Sequence, residues 1–122
     1  MKLLTAEILN KMPSLYSQEE KGLDAKVIVK FFDPQGGFTW YASEATAITD
    51  QIDENGNNIE KVLKDILPDD NILDIRFYGL VDGLEKELGY FSFNELKAYN
   101  GRLGLGIERD MYFDNQPLKN FM

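Results

Sequence analysis

The chain has neither cysteine nor histidine among its 122 residues. Without cysteine there are no disulfides, no thiolate zinc sites and no thiol nucleophile. Without histidine the side chain that titrates near neutral pH is missing, along with the commonest metal ligand and the Ser-His-Asp and Cys-His arrangements. No apolar run approaches the roughly 18 residues of a membrane-spanning helix. The opening Met1-Lys2-Leu3-Leu4 turns polar at Thr5, too early for the apolar core of a secretory signal. A soluble, cytoplasmic, cofactor-free protein is expected. Basic residues are also scarce, 13 against 21 acids, for a formal net charge of −8.

What acidity there is lies in one internal stretch. Glu44, Asp50, Asp53, Glu54, Glu60, Asp65, Asp69, Asp70 and Asp74 face only Lys61 and Lys64, so residues 44–74 carry −7 of the −8. Such a field repels nucleic acid and attracts a basic protein surface.

Residues 5–12 predict a short helix capped by Thr5 and stopped by Pro13. Lys26–Phe32 alternates as a strand with Val27, Val29 and Phe31 on one face. A tight Asp33–Gly37 connection leads to a second strand over 38–44, making a hairpin. Asp53-Glu54-Asn55-Gly56-Asn57 reads as a turn. Ile59, Val62, Leu63, Ile66 and Leu67 then follow helical spacing, which predicts an amphipathic helix over 58–67 ended by Pro68. Further strands are expected at 72–81 and 87–91. A capping box at Ser92–Glu95 opens a helix over 92–99, closed by Asn100-Gly101. The expected fold is α+β: a twisted antiparallel sheet of about four strands with three short helices at its face and edges. Residues 1–122 are expected to form a single domain with an acidic, helix-containing insertion at about 45–74. Its expected core is Ile8, Val27, Val29, Phe31, Trp40, Leu63, Ile66, Phe77, Leu80, Leu88, Phe91, Leu96 and Ile107.

Several motifs dissolve on inspection. Asp53-x-Asn55-x-Asn57 has the wrong register for a calcium loop, with Asn58 and Lys64 where Gly and Glu belong. Gly101, Gly104 and Gly106 do not make a dinucleotide fingerprint. The only acid–base chemistry left belongs to carboxylates. Asp82, Glu85, Glu87, Glu108 and Asp110 are the candidates for a carboxylate- or magnesium-dependent hydrolase. The aromatics, Phe31, Phe32, Phe38, Trp40, Tyr41, Phe77, Tyr78, Tyr90, Phe91 and Phe93, lack the basic surroundings of a nucleic-acid platform. They are expected in the core, with exposed members anchoring a protein partner.

Blocks such as Thr39-Trp40-Tyr41-x-x-Glu44, Gly79-Leu80-Val81-Asp82-Gly83-Leu84-Glu85-Lys86-Glu87-Leu88-Gly89-Tyr90-Phe91-Ser92 and Gly104-Leu105-Gly106-Ile107-Glu108-Arg109-Asp110, with Lys2–Thr5, Pro13 and Tyr16 ahead of them, form a pattern over roughly two thirds of the chain. This pattern resembles the small bacterial family catalogued as domain of unknown function 2958. The resemblance implies carriage on plasmids, integrative elements and prophages, and no assigned activity. The chain departs from it in residues 45–74, where the family link is usually much shorter, so a function particular to this member is expected there.

These readings converge on a non-enzymatic accessory protein of a mobile element. It is expected to act as a monomer or weak homodimer that binds a protein with a basic surface, without touching nucleic acid or membrane. The nine acids of 44–74 are its expected contact residues. A sharper form is an acidic nucleic-acid mimic that inhibits a host defence or DNA-processing protein. Trp40 and Arg109 are expected to be structural, with Arg109 pinning the tail by pairing with Glu85, Glu87 or Glu44.

Overall fold

The computed structural model describes residues 2–99 and 104–122. The Oγ1 of Thr5 accepts the N–H of Ile8 at 3.3 Å and opens helix α1, Ala6–Lys11. Residues 13–25 follow as an irregular strap containing a 3₁₀ segment, Glu19–Asp24. Strands β1 (Val29–Phe32), β2 (Thr39–Ile52), β3 (Asn58–Val62), β4 (Ile72–Asp82) and β5 (Lys86–Ser92) come next. Ser92 caps helix α2, Phe93–Ala98, by accepting the N–H of Glu95 at 3.0 Å. A two-residue strand β6, Glu108–Arg109, closes the set. The expected Asn100-Gly101 helix stop falls outside the described residues.

All pairings are antiparallel, in the order β5-β4-β2-β1-β6, with β3 also on β2. The fold is therefore α+β as expected, with six strands rather than about four. Strand β2 organises it. One of its edges pairs with β4 along nearly its full length; the other pairs with β1 at residues 39–42 and with β3 at 46–52. The strap fills the interval between them. Ala45 donates to the carbonyl of Pro13 at 2.9 Å, Leu15 N–H donates to Thr46 Oγ1 at 3.2 Å, and Gln18 Nε2 donates to the Ser43 carbonyl at 2.8 Å. The strap thus supplies hydrogen-bond partners to the middle of this strand, which is what burial demands.

Strand β2 also carries a bulge. Ala42 lies opposite Gly79 and Glu44 opposite Tyr78, so Ser43 is the extra residue. The bulge shifts the alternation so that Trp40, Ala42, Ala45 and Ala47 share the core face with Phe31, Phe77, Phe91, Leu63 and Leu96, under α1 and α2. Phe77 stacks on Phe91 at 5.3 Å and meets the edge of Phe31 at 5.7 Å. A smaller cluster occupies the opposite face: Ala25, Val27, Tyr41, Leu80 and Leu118, with Phe113 and Phe121.

Four expectations are corrected. Residues 58–67 are not a helix: β3 takes 58–62 and a single 3₁₀ turn takes 63–65. The Asn55-Gly56 turn makes a hairpin with β2, where Thr49 Oγ1 donates to the Ile59 carbonyl and Asn58 Nδ2 to the Thr49 carbonyl. Backbone pairing along a long open strand edge outweighs helical spacing in so short a segment. Val27 is buried as expected, but in the opposite-face cluster rather than on the face of Val29 and Phe31, because the strand proper starts only at Val29. Ile66 is only partly buried at the core margin, and Leu88 is exposed on β5.

Candidate functional site

Eight of the nine acids of 44–74 gather at one end of the sheet, on the β2–β3 hairpin, the loop after it and the start of β4. Several are committed to holding that end together. Asp53 Oδ1 accepts the N–H groups of Asn55 and Asn57 and so caps its own turn. Asp70 accepts from Lys61 Nζ at 2.7 Å, Leu67 N–H and Gln51 Nε2, and the Lys61 bond, followed by that of Leu67, holds its carboxyl below the ordinary value. Asp74 Oδ1 accepts Asn94 N–H in the first turn of α2. Asp50 takes the Asn71 amide, and Glu60 lies 3.7 Å from Arg76. Glu54, Asp65 and Asp69 are exposed, with no side-chain hydrogen bond or ion pair among the described residues. Ile52, Leu67 and Leu73 are exposed among them.

Glu44 stands apart from this group. The bulge turns it to the face opposite α1 and α2, where it is only 4% exposed. Its Oε1 accepts Tyr16 N–H at 2.9 Å and its Oε2 accepts Gln18 N–H at 2.7 Å. It is a strap anchor rather than a contact residue. Above it lies a cleft of about 330 Å³ between strap and sheet, walled by Tyr16, Tyr78, Tyr90, Leu23 and Leu88. Tyr90 meets Tyr16 edge-on at 6.4 Å and Tyr78 at 5.2 Å. A hydrogen bond with the Tyr16 hydroxyl, then desolvation and nearby negative charge, pushes Tyr90 up to about 12. Among the aromatics read from the sequence, Tyr78 and Tyr90 are the ones that line this cleft. Tyr16, Gln18 and the pocket itself were not foreseen.

The candidate hydrolase acids do not form one site. Glu85 and Glu87 lie at the β4–β5 turn and on β5, with Glu108 on β6 at the opposite edge. Four strand spacings of ~4.8 Å separate those edges, roughly 19 Å. Asp82 and Asp110 both add to the raised pKa of Tyr41, behind the larger effect of its burial, and Asp110 lies 3.7 Å from Lys30. Among the described residues no three acids are placed to hold a metal ion. The same geometry corrects the Arg109 expectation: Glu85 and Glu87 are a sheet's width away, and Glu44 is on the other face. Arg109 Nε donates to the Lys2 carbonyl at 3.2 Å, tying β6 to the chain ahead of α1.

No helix is long and apolar enough to cross a membrane among the described residues. No curated protein and no solved structure matches the chain. A family model described as Protein of unknown function (DUF2958) matches residues 61–122, from within β3 through β4, β5, α2 and β6. By that match over half its length, the chain belongs to this family.

Proposed function

We propose that the protein is a non-enzymatic accessory protein of a bacterial mobile element, acting in the cytoplasm by binding a basic partner protein through the acidic end of its sheet. One observation carries the reading: Glu54, Asp65 and Asp69 project there beside the exposed Ile52, Leu67 and Leu73. Apolar anchors inside a charged rim are the usual makeup of a protein interface, and rim charge sets the rate and salt dependence of encounter. The finer form, in which this end fills a nucleic-acid channel as an acidic mimic, is supported by charge alone.

Capture from a bacterial lysate at low and high salt tests both forms, using the native chain and an E54Q/D65N/D69N variant. A partner kept at low salt, shed at high salt and lost by the variant supports the binding reading. Equal capture by the variant overturns it. Displacement of the captured partner by duplex DNA supports the mimic; indifference to DNA removes it.

A further inference from the structure

The tyrosine cleft has a recognition chemistry of its own. Its walls are largely apolar, and Tyr16 at 61%, Tyr90 at 53%, Leu23 and Leu88 are left open to solvent. Among the described residues no lysine or arginine lines it, whereas Glu44 and Glu19 do. Glu44, at the floor of the cleft, is held by two neutral backbone donors, and no ion pair reaches it among the described residues. The three tyrosine rings meet edge-on at interplanar angles of 62° and 61° and line the cleft together. Ring faces carry negative quadrupole potential and attract cations, most strongly where water is partly excluded. The same arrangement disfavours an anion and gives a neutral ligand no advantage.

We propose that this cleft binds an organic cation with an alkylated ammonium or guanidinium head, seated among Tyr16, Tyr78 and Tyr90 above Glu44, with Glu19 at its mouth. The volume of about 330 Å³ suits one such head with a short stem. The head is supplied either by a free small molecule or by a side chain of a protein. The cleft and the acidic end are distinct surfaces, so either stands if the other fails.

The test is a titration of the full chain, followed by backbone amide NMR, with choline and with its neutral isostere 3,3-dimethylbutan-1-ol. Choline is expected to move the amides of Tyr16, Tyr78 and Tyr90 with a saturable Kd on the order of 1 mM. The isostere should bind roughly fivefold to tenfold more weakly. Tyr90→Leu should weaken choline by a similar factor, while Tyr90→Phe keeps it. The unchanged remainder of each spectrum certifies that the variants are folded. Argininamide compared with a capped Gly-Arg-Gly peptide separates the sources: a tighter peptide assigns the head to a protein side chain, a peptide no tighter assigns it to a free cation. No saturable shift with any cation, equal binding of the isostere, or indifference to Tyr90→Leu overturns the proposal.

Discussion

The carboxylate of Glu44 accepts the backbone N–H of Tyr16 at 2.9 Å, and Tyr16 is the described non-glycine residue with positive φ, 70°. A left-handed conformation costs a residue with a Cβ roughly 1–2 kcal/mol. Two hydrogen bonds to a buried carboxylate, at roughly 1.5–3 kcal/mol each, offset it. The bulge at Ser43 exists in this sense to deliver Glu44 to the strap.

Replacing Glu44 by Gln keeps the shape but turns an amide donor toward one of the two N–H groups. Unfolding stability in urea is expected to fall by roughly 2–4 kcal/mol. A fall under about 1 kcal/mol would show that Gln18, through its own bonds to Ser43 and Lys26, holds the strap without it.

If Tyr16 is strained, its substitutions should follow backbone preference rather than size. Asn tolerates the left-handed region and Val does not. Tyr16→Asn is expected to be at least about 1 kcal/mol more stable than Tyr16→Val. Equal melting temperatures would refute the strain.

Gly79 faces the bulge so closely that an added Cβ would lie 1.8 Å from the Tyr41 carbonyl oxygen. That oxygen is backbone inside the sheet and has nowhere to go. Gly79→Ala should therefore destabilise by at least about 3 kcal/mol, or prevent folding. A soluble variant with native stability would mean that the bulge relaxes.

Much of this architecture is legible in the residues. The caps at Thr5 and Ser92, the strands at β4 and β5 and the Asn55-Gly56 turn all read directly, because each is a local choice confirmed by its neighbours. Residues 59–67 misled because Ile59, Val62, Leu63, Ile66 and Leu67 fit a helix, while the competing demand, an unpaired edge on β2 beyond Thr46, is not local. Strand β2 was read too short because Ala45, Ala47 and Asp50 are weak strand formers. The cleft was hidden for a similar reason. Tyr16, Glu44, Tyr78 and Tyr90 are brought together only by sheet order and by a one-residue bulge that alternation does not announce.

Alkaline titration should show a late step from Tyr90, beside the raised Tyr41 and Tyr99. Its folded value of about 12 lies above its ordinary 10.0, so the fold favours the protonated hydroxyl. That stabilisation is complete below pH 10 and is lost as pH rises through about 12. Absorbance at the tyrosinate band should show a late step that is missing from Tyr90→Phe. A single transition near pH 10 in both proteins would count against the pairing with Tyr16.

Asp70 works at the other end of the scale. Its folded value lies below the ordinary 3.8, so its stabilisation is complete above that pH and is lost as pH falls beneath it. Asp70→Asn should lower the melting temperature at neutral pH, with the gap to the native chain closing in acid. A gap independent of pH would mean that Lys61 contributes nothing through charge.

The strap that fills the interval in β2 has a dynamic consequence. The amide of Ala45, at the centre of the sheet, is shielded by Pro13 rather than by another strand. Its hydrogen exchange should follow detachment of residues 13–18 instead of global unfolding, forming a cooperative unit of its own. When that unit lifts, Tyr16 leaves Tyr90, Glu44 meets water and the cleft ceases to exist. Protection of one buried amide thereby becomes a readout of how often the cleft is formed, and any molecule that settles into it should slow the exchange of Ala45.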